Sequence, residues 1–327
     1  MTVTPNRFDG RVVLVTGGLG FIGSAVTRAL VAAGAKVRVL DSLLPQGGGS
    51  PRHLHGTNGA VEVTIEDTRS RDVVNRIVEG CDMVFHLAGH DGLSALAQDW
   101  YSEIDIACLG TLNVLEAVRV HAPAARVVFA SSVAVYGRAA MPHVAEDSPT
   151  EPASLFGVHK LAGEKYCGLY RREHGLSTTV ARLVSVFGPG QRLQSAASNT
   201  LAYAIDAVLH DEPVRLPFGG HQLLDVLFID DAVTALLALA CAEEVPSVLN
   251  IGRGVGVTLR QIAETLVSIA GTGSVASWTD TAESAGDAGL VADVARLRGL
   301  SVSLPVRPLD DALAATLAWY RGTAHAA

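Results

Sequence analysis

Three glycines, Gly17, Gly20 and Gly23, follow an apolar run rich in β-branched residues at intervals of three. Glycine permits a tight turn and lets the backbone approach a phosphate, and the start of the following helix attracts negative charge. Asp41 ends the next predicted strand, where a carboxylate accepts hydrogen bonds from both ribose hydroxyls and repels a 2′-phosphate. The combination predicts a site for NAD rather than NADP.

Residues beside these motifs, and at the ends of the third and fourth predicted strands, are expected to line the same cofactor site. They are Phe21, Ile22, Ser42, Asp67, Thr68, Leu87, Ala88 and Gly89. Asp67 is placed to reach the adenine amine, although an exposed turn aspartate is a strong competing interpretation.

A predicted helix over residues 153–174 carries a second group of candidates. Phe156, His159 and Lys160 are separated by three and four residues, so they share one face of that helix. Phenylalanine cannot accept a proton, whereas a histidine side chain titrates near neutral pH. His159 is therefore a candidate base, with a surface histidine or a cofactor contact as the favoured alternative.

Other candidate bases lie where strands end, at the sheet edge that binds ligands in folds of this kind. Tyr136 closely follows Ser132, and a packed aromatic with a tethered hydroxyl is the favoured alternative for it. His90 and Asp91 follow the fourth predicted strand and could form a proton relay, in even competition with a plain polar loop.

Strand and helix patterns alternate along most of the chain. Strands are predicted at 11–16, 36–40, 61–65, 83–87, 126–130 and 177–186, and helices at 24–33, 71–79, 103–120 and 153–174. A helix at 199–209, a strand and helix within 226–242, and helices at 258–270 and 309–320 complete the pattern. This alternation predicts an α/β fold with a doubly wound parallel sheet of the Rossmann type.

Composition narrows the class of protein. The 327 residues carry a net charge of -8 and are 49% hydrophobic, which supplies a core and no basic surface for nucleic acid. Four separated cysteines lack metal-ligand spacing, so reduced thiols and no metal site are expected. No segment reads as a signal peptide or reaches the roughly 20 apolar residues of a membrane span, and we expect a soluble cytoplasmic protein.

Several further motifs occur in a fixed order along the chain. They are His86-Leu87-Ala88-Gly89, Gly110-Thr111-Leu112-Asn113-Val114-Leu115-Glu116-Ala117, Phe129-Ala130-Ser131-Ser132-Val133-Ala134-Val135-Tyr136-Gly137, and the segments 182–190 and 225–231. With the glycine motif and Lys160, they make the chain resemble the extended short-chain dehydrogenase/reductase family over nearly its whole length. The nearest branch is the nucleotide-sugar epimerases and dehydratases.

The resemblance implies two domains and a dimer. An NAD-binding Rossmann domain is expected at 1–187 plus 226–250, and a smaller C-terminal α/β substrate-binding domain at 188–225 plus 251–327. A homodimer is expected through the two long helices at 103–120 and 153–174.

The resemblance also assigns three catalytic positions. Ser132 is expected to hydrogen-bond the reacting sugar hydroxyl, Lys160 to bind the nicotinamide ribose, and the position of Phe156 to carry a tyrosine base. A free phenol has a pKa near ~10, which a lysine at i+4 lowers. Phe156 removes that base, and losing a positioned base costs on the order of 10²–10⁴ in rate.

Other positions also depart from the family pattern. Ala107, Ser185 and Phe187 replace two asparagines and a tyrosine, and Leu224 stands where an arginine usually grips the substrate diphosphate. Leucine cannot supply the bidentate, charge-assisted bonds of arginine. The residues expected to bind substrate are Ser132, Ser185 and Leu224. The changes at positions 185 and 224 indicate either that other contacts hold the substrate or that it is not a standard nucleotide sugar.

Three explanations of Phe156 stay open: an engineered substitution, a natural site with another base, or lost catalysis. Val133 and Ala134 stand where dehydratases and decarboxylases of the family have acidic residues, which favours epimerisation. The first hypothesis is an NAD-dependent nucleotide-sugar epimerase with an atypical or engineered site. The alternatives are a non-catalytic NAD-binding regulatory protein and a dehydrogenase of a small non-nucleotide substrate.

Overall fold

The computed structural model describes most of the chain and contains the expected parallel sheet. The described residues are 7–44, 47–57, 59–89, 100–139, 141–193, 200–216, 218–244, 246–271, 273, 275–278, 289–300 and 306–324. Their strands are β1 (Val12–Thr16), β2 (Lys36–Asp41), β3 (Val61–Ile65), β4 (Met83–His86), β5 (Arg126–Ser132), β6 (His143–Val144), β7 (Ser177–Leu183), β8 (Ser185–Phe187), β9 (Val214–Leu216), β10 (Leu223–Leu224), β11 (Val226–Phe228), β12 (Val248–Ile251), β13 (Val257–Thr258), β14 (Ala276–Trp278) and β15 (Gly289–Ala292).

Helices follow most of these strands. They are α1 (Phe21–Ala32), α2 (Arg71–Val78), α3 (Trp100–Ile104), α4 (Gly110–His121), α5 (Leu155–His174), α6 (Thr200–Leu209), α7 (Ile229–Cys241), α8 (Leu259–Ala270), α9 (Ala295–Arg298) and α10 (Leu309–Ala324). A π-helical segment, Asp105–Leu109, joins α3 to α4. None of the helices within the described ranges is both long and apolar enough to cross a bilayer.

Seven parallel strands form the main sheet in the order β12-β7-β5-β4-β1-β2-β3. Strand β1 lies between β2 and β4, so the chain order reverses there and the carboxyl ends of β1 and β4 border a crevice. Residues 13–16 of β1 are fully buried, as expected for a strand covered by helices on both faces. The predicted Rossmann fold is confirmed.

Some element boundaries differ from the predictions. The strand expected at 177–186 is two strands, because β8 leaves the main sheet to pair with β11. Strand β12 was not predicted, because its apolar run is short and contains Asn250. The structure buries Asn250 and satisfies its side chain, whose amide donates to the carbonyls of Val144 and Asp293.

Smaller sheets form the rest of the α/β architecture. One has the strand order β13-β10-β15-β6, and β11–β8 and β14–β9 are separate pairs. Strand β6 comes from the predicted NAD-binding segment, yet it pairs with β15 from the C-terminal region. The boundaries of the two expected domains stay a prediction.

A buried ion pair ties helix α5 to the main sheet. Arg182 on β7 donates from Nε and Nη2 to the two carboxylate oxygens of Glu164, at 2.9 and 2.6 Å. Both side chains are about 5% exposed or less. Ser131 donates a 2.5 Å hydrogen bond to the same carboxylate, so β5, β7 and α5 meet at one charged group.

We expect Arg182→Met to lower the free energy of unfolding by about 3–5 kcal/mol, because it leaves a buried carboxylate without its cation. Urea denaturation of the two proteins measures the change. The matched control is Arg172→Met, whose partner Glu173 lies on the surface, and its effect should stay below about 1 kcal/mol. Equal effects of the two substitutions on the free energy of unfolding would contradict the conclusion that Arg182 compensates a buried carboxylate.

Candidate active site

The glycine turn between β1 and α1 has no room for side chains. Gly17 has φ +71°, and a Cβ on it would lie 2.9 Å from the Cα of Ala88. A Cβ on Gly23 would lie 2.0 Å from the carbonyl oxygen of Gly17. The turn is thus packed against both α1 and the end of β4, which leaves its backbone open toward the crevice, where a pyrophosphate binds in this fold.

Asp41 is held at the mouth of this turn. Its Oδ2 accepts a 2.9 Å hydrogen bond from the amide of Leu19, and its Oδ1 accepts one of 2.9 Å from the amide of Leu43. Each carboxylate oxygen keeps a second lone pair for a ribose hydroxyl. The cradle and the acceptor therefore fit an adenine dinucleotide.

The other predicted cofactor residues differ in how deeply they are buried and in what they contact. Phe21 and Ile22 begin α1, and Ser42, Leu87 and Ala88 are half-buried, with Gly89 exposed. Thr68 is buried, and its Oγ1 would be 2.5 Å from a Cβ on Gly110. Asp67 accepts hydrogen bonds from the backbone and side chain of Arg69, and its adenine contact stays a prediction.

Lys160 reaches from α5 to the carboxyl end of β4. Its Nζ donates a 2.8 Å hydrogen bond to the carbonyl of Ala130 and would be 3.1 Å from a Cβ on Gly89. The rings of Phe129 and Phe156 lie 5.4 and 5.7 Å from Nζ, centroid to atom. Burial lowers the pKa of Lys160 to about 8. The ammonium is thus positioned beside the cofactor crevice and against the phenyl ring.

Ser132 and Tyr136 lie on either side of a short 3₁₀ turn, Val133–Tyr136. The Oγ of half-buried Ser132 accepts a 3.1 Å hydrogen bond from the amide of Ala134. The buried Tyr136 hydroxyl donates to Asn250 at 2.7 Å and accepts from Arg182 at 2.9 Å. Burial also raises the pKa of Tyr136. Both hydrogen bonds tether the hydroxyl inside the protein, and a role for Tyr136 as the base stays a prediction.

His159 is buried, unlike the surface histidine that was the favoured alternative. Its Nδ1 lies 3.9 Å from Oε2 of Glu103, which is also buried. Both side chains line one cavity with Phe156, Lys160 and Gly89. The other candidate bases, His90 and Asp91, lie outside the described residues.

Sequence reasoning gave Glu103 no role. The sequence contains a pattern that points to Glu103. Glu103, Ala107 and Thr111 are spaced four residues apart, which places a carboxylate on the face of the predicted helix that carries small residues. Ala107 and Thr111 line the same cavity. Beyond it, His86 hydrogen-bonds Thr111 through Nε2 and Thr16 through Nδ1, and burial lowers its pKa to about 3.

The other two predicted substrate residues, Ser185 and Leu224, lie half-buried on β8 and β10. Phe187 is buried against Phe228, with ring centroids 5.9 Å apart. Next to Leu224, the carboxylate of Asp225 accepts hydrogen bonds from the amides of Arg253, Gly254 and Ala292. Asp225 therefore fixes local structure, and burial raises its pKa.

The fold and the glycine turn define a class of protein that comparison with known families also identifies. The model of the NAD dependent epimerase/dehydratase family matches residues 13–252. The chain belongs to this family, which is the epimerase and dehydratase branch of the extended short-chain dehydrogenases/reductases.

Individual relatives are nucleotide-sugar enzymes. A putative UDP-glucose 4-epimerase of Methanocaldococcus jannaschii is 31% identical over 74% of this chain and 77% of its own length. The structure of UDP-N-acetylglucosamine 4-epimerase from Methanobrevibacter ruminantium M1, in complex with UDP-N-acetylmuramic acid, is 26% identical. It has a TM-score of 0.87 over 96% of this chain and 99% of that one.

A third relative is also a nucleotide-sugar epimerase. It is a tyrosine-to-phenylalanine mutant of UDP-glucuronic acid 4-epimerase from Bacillus cereus, in complex with UDP-4-deoxy-4-fluoro-glucuronic acid and NAD. The identity is 25% and the TM-score 0.83, over 95% of this chain and 99% of that one. The family and its solved members establish NAD as the cofactor, as the glycine turn and Asp41 predict.

Gly23→Ala should weaken NAD binding at least about tenfold, or about 1.4 kcal/mol. The added methyl group would meet the carbonyl of Gly17, so the turn must shift. Isothermal calorimetry measures the affinity. The control is Gly168→Ala on α5, where a Cβ has no neighbour within 4 Å, and NAD affinity should be unchanged. NAD binding by Gly23→Ala at wild-type affinity would show that the turn is not the pyrophosphate site.

Proposed function

We propose that the protein is an NAD-dependent epimerase that acts on a nucleotide sugar by transient hydride transfer. The observation that carries this proposal is the convergence of Lys160, Gly89 and Phe156 in one cavity, close to the glycine turn that packs on Ala88. When bound, NAD supplies the hydride acceptor. The residues of this chain bind and orient the sugar and manage the proton of its hydroxyl.

The proposal gives tasks to Ser132, at the end of β5, and to three residues that line the cavity. Ser132 has a hydroxyl at the end of β5 that can orient the reacting sugar hydroxyl, and Lys160 supplies a cation for the nicotinamide ribose. Phe129 and Phe156 provide apolar walls that keep water from a reactive ketone. A ketone that rotates in the crevice beside these rings can be reduced from its other face, which inverts the carbon.

Epimerisation is favoured over elimination of water by the residue types directly after Ser132. The 3₁₀ turn begins with Val133 and Ala134, which supply no carboxylate for removing a second proton. UDP sugars are the first substrates to consider, because the three relatives are enzymes of, or complexes with, UDP sugars. The apolar Leu224 and short Ser185 support, as a second candidate, a dehydrogenase of a small non-nucleotide substrate.

NAD-loaded protein should produce NADH absorbance and an epimer with at least one of UDP-glucose, UDP-glucuronic acid and UDP-N-acetylglucosamine. Ser132→Ala should lower the rate at least about a hundredfold, because it removes the hydroxyl that orients the reacting group. Its NAD affinity should stay at the wild-type value, which separates loss of chemistry from loss of cofactor. Neither NADH nor epimer from any of the three sugars, with NAD bound, would refute the proposal for UDP sugars.

We also propose a homodimer through α3, α4 and α5. Large apolar side chains on these helices and the π segment are exposed, namely Tyr101 at 82%, Ile104 at 47%, Leu109 at 45%, Val158 at 44% and Leu169 at 42%. Packing against a second copy would bury this apolar surface, which stabilises the dimer by roughly 25 cal/mol for each Å² removed from water. Cytoplasmic location stays a prediction.

Ile104→Glu combined with Val158→Glu should convert the dimer to a monomer, because two charges would be buried without partners. Sedimentation velocity measures the change. The matched control is Val255→Glu, an equally exposed valine outside these helices, and it should leave the mass unchanged. A wild-type protein that sediments as a monomer at micromolar concentration would contradict the proposed dimer.

A further inference from the structure

The cavity beside Phe156 contains a carboxylate with an unexplained oxygen. The Glu103 side chain is 4% exposed, and its Oε1 has no hydrogen-bond partner among the residues that the structure describes. Burying a polar atom without a partner is costly, and such atoms are rare in folded proteins. The free-energy cost of burying this oxygen alone favours an exchangeable partner for Oε1, such as a water molecule or a proton.

His159 is the group that Glu103 faces. The distance of 3.9 Å between Nδ1 and Oε2 is an ion-pair distance, longer than a hydrogen bond. Within the described ranges the imidazole has no other polar partner, so Nε2 is available to accept a proton when Nδ1 carries the hydrogen toward Glu103. Contacts of this kind are often long without substrate and shorten in the reacting complex.

Both elements that carry the pair are suited to placing it. His159 is one turn of α5 from Phe156 and shares its helix face. Glu103 is on α3, directly before the π-helical segment Asp105–Leu109. A π segment adds a residue to the turn and shifts the phase of the preceding helix, and such segments are frequent at functional sites.

We propose that His159, oriented by Glu103, accepts the substrate proton that a phenol at position 156 would otherwise accept. This inference rests on the proposed function. With NAD bound as the hydride acceptor, the sugar carbon loses a hydride, its hydroxyl loses a proton to Nε2 of His159, directly or through one water in the cavity, and a C=O bond forms. In the return half of the reaction the carbonyl carbon regains the hydride on its other face and the imidazolium returns the proton to the oxygen, so atoms and charges balance. His159 is the catalytic residue and Glu103 a positioning residue.

The charges around the cavity fit this assignment. Among the described residues, the titratable side chains that line it are Glu103, His159 and Lys160. The Lys160 ammonium opposes an imidazolium, and the Glu103 carboxylate offsets that opposition. His86 reaches the cavity only through Thr111, and burial keeps it neutral.

A substrate-free measurement tests the pair first. Histidine-labelled protein with NAD bound is examined by nitrogen NMR at one fixed pH, and the His159 ring signals are assigned by their loss in His159→Gln. Glu103→Gln should shift the Nδ1 signal of His159, because the carboxylate that this nitrogen faces is removed. Glu103→Asp keeps the carboxylate and should leave the signal closer to its wild-type position. The control Glu173→Gln, an exposed residue at the end of α5, should leave it unchanged. An unchanged Nδ1 signal of His159 in Glu103→Gln overturns the pairing.

Kinetics test the proton transfer. With whichever of the three UDP sugars yields NADH, kcat/KM should fall as the pH is lowered, because a protonated imidazole cannot accept a proton. His159→Gln should lower the rate about 10²–10⁴-fold and remove that dependence. His174→Gln, the same change on an exposed histidine of α5, should alter neither. An unaltered rate and pH profile in His159→Gln overturns the assignment.

Restoring the phenol provides a second and opposite test. Phe156→Tyr places a hydroxyl beside Lys160, so it should rescue His159→Gln, yet it should change the wild-type rate less than about tenfold. A gain of about a hundredfold or more in the wild-type background would show that the chain lacks a working base, which overturns the inference and leaves the epimerase proposal intact. If neither protein produces NADH with any of the three sugars, the epimerase proposal for UDP sugars is refuted, and the NMR comparison still decides the pairing.

Discussion

The buried ion pair between Arg182 and Glu164 is the contact on which the rest of the site depends. Arg182 belongs to β7 and Glu164 to α5, so the pair fixes the helix against the sheet. Ser131, at the end of β5, donates to the same carboxylate. Lys160 lies one turn before Glu164, which means that any slide of α5 would move the ammonium away from Gly89. A charged pair of this kind is directional and tolerates little displacement.

The same guanidinium also holds the hydroxyl of Tyr136 in place. Arg182 donates to the Tyr136 hydroxyl, which in turn donates to Asn250 on the edge strand β12. The chain thus uses one tyrosine of this region to join β12 to the sheet. Phe156, one turn before Lys160 on α5, has no hydroxyl, so the proposed reaction needs a base from another residue.

The pocket is more apolar than a tyrosine-based site would be. The rings of Phe156 and Phe129 both lie within 6 Å of the Lys160 ammonium, and burial already lowers the pKa of Lys160 to about 8. Charge in such a place acts strongly on its neighbours, because little solvent screens it. Among the described residues, Glu103, His159 and Lys160 are the titratable groups that line this largely apolar cavity.

The sequence alone determined the Rossmann fold, NAD as the cofactor and the absence of a phenol at position 156. These follow from local features: buried parallel strands are continuous apolar runs, the turn requires glycine at 17 and 23, and Asp41 ends a strand. Only the tertiary structure decided the partners of buried polar groups. Asn250 is in a strand because distant residues satisfy its amide. Arg182 hydrogen-bonds the Tyr136 hydroxyl, and Glu103 on α3 lies 3.9 Å from His159 on α5. Such pairings join residues far apart in the chain, and no periodicity encodes which polar group will face which.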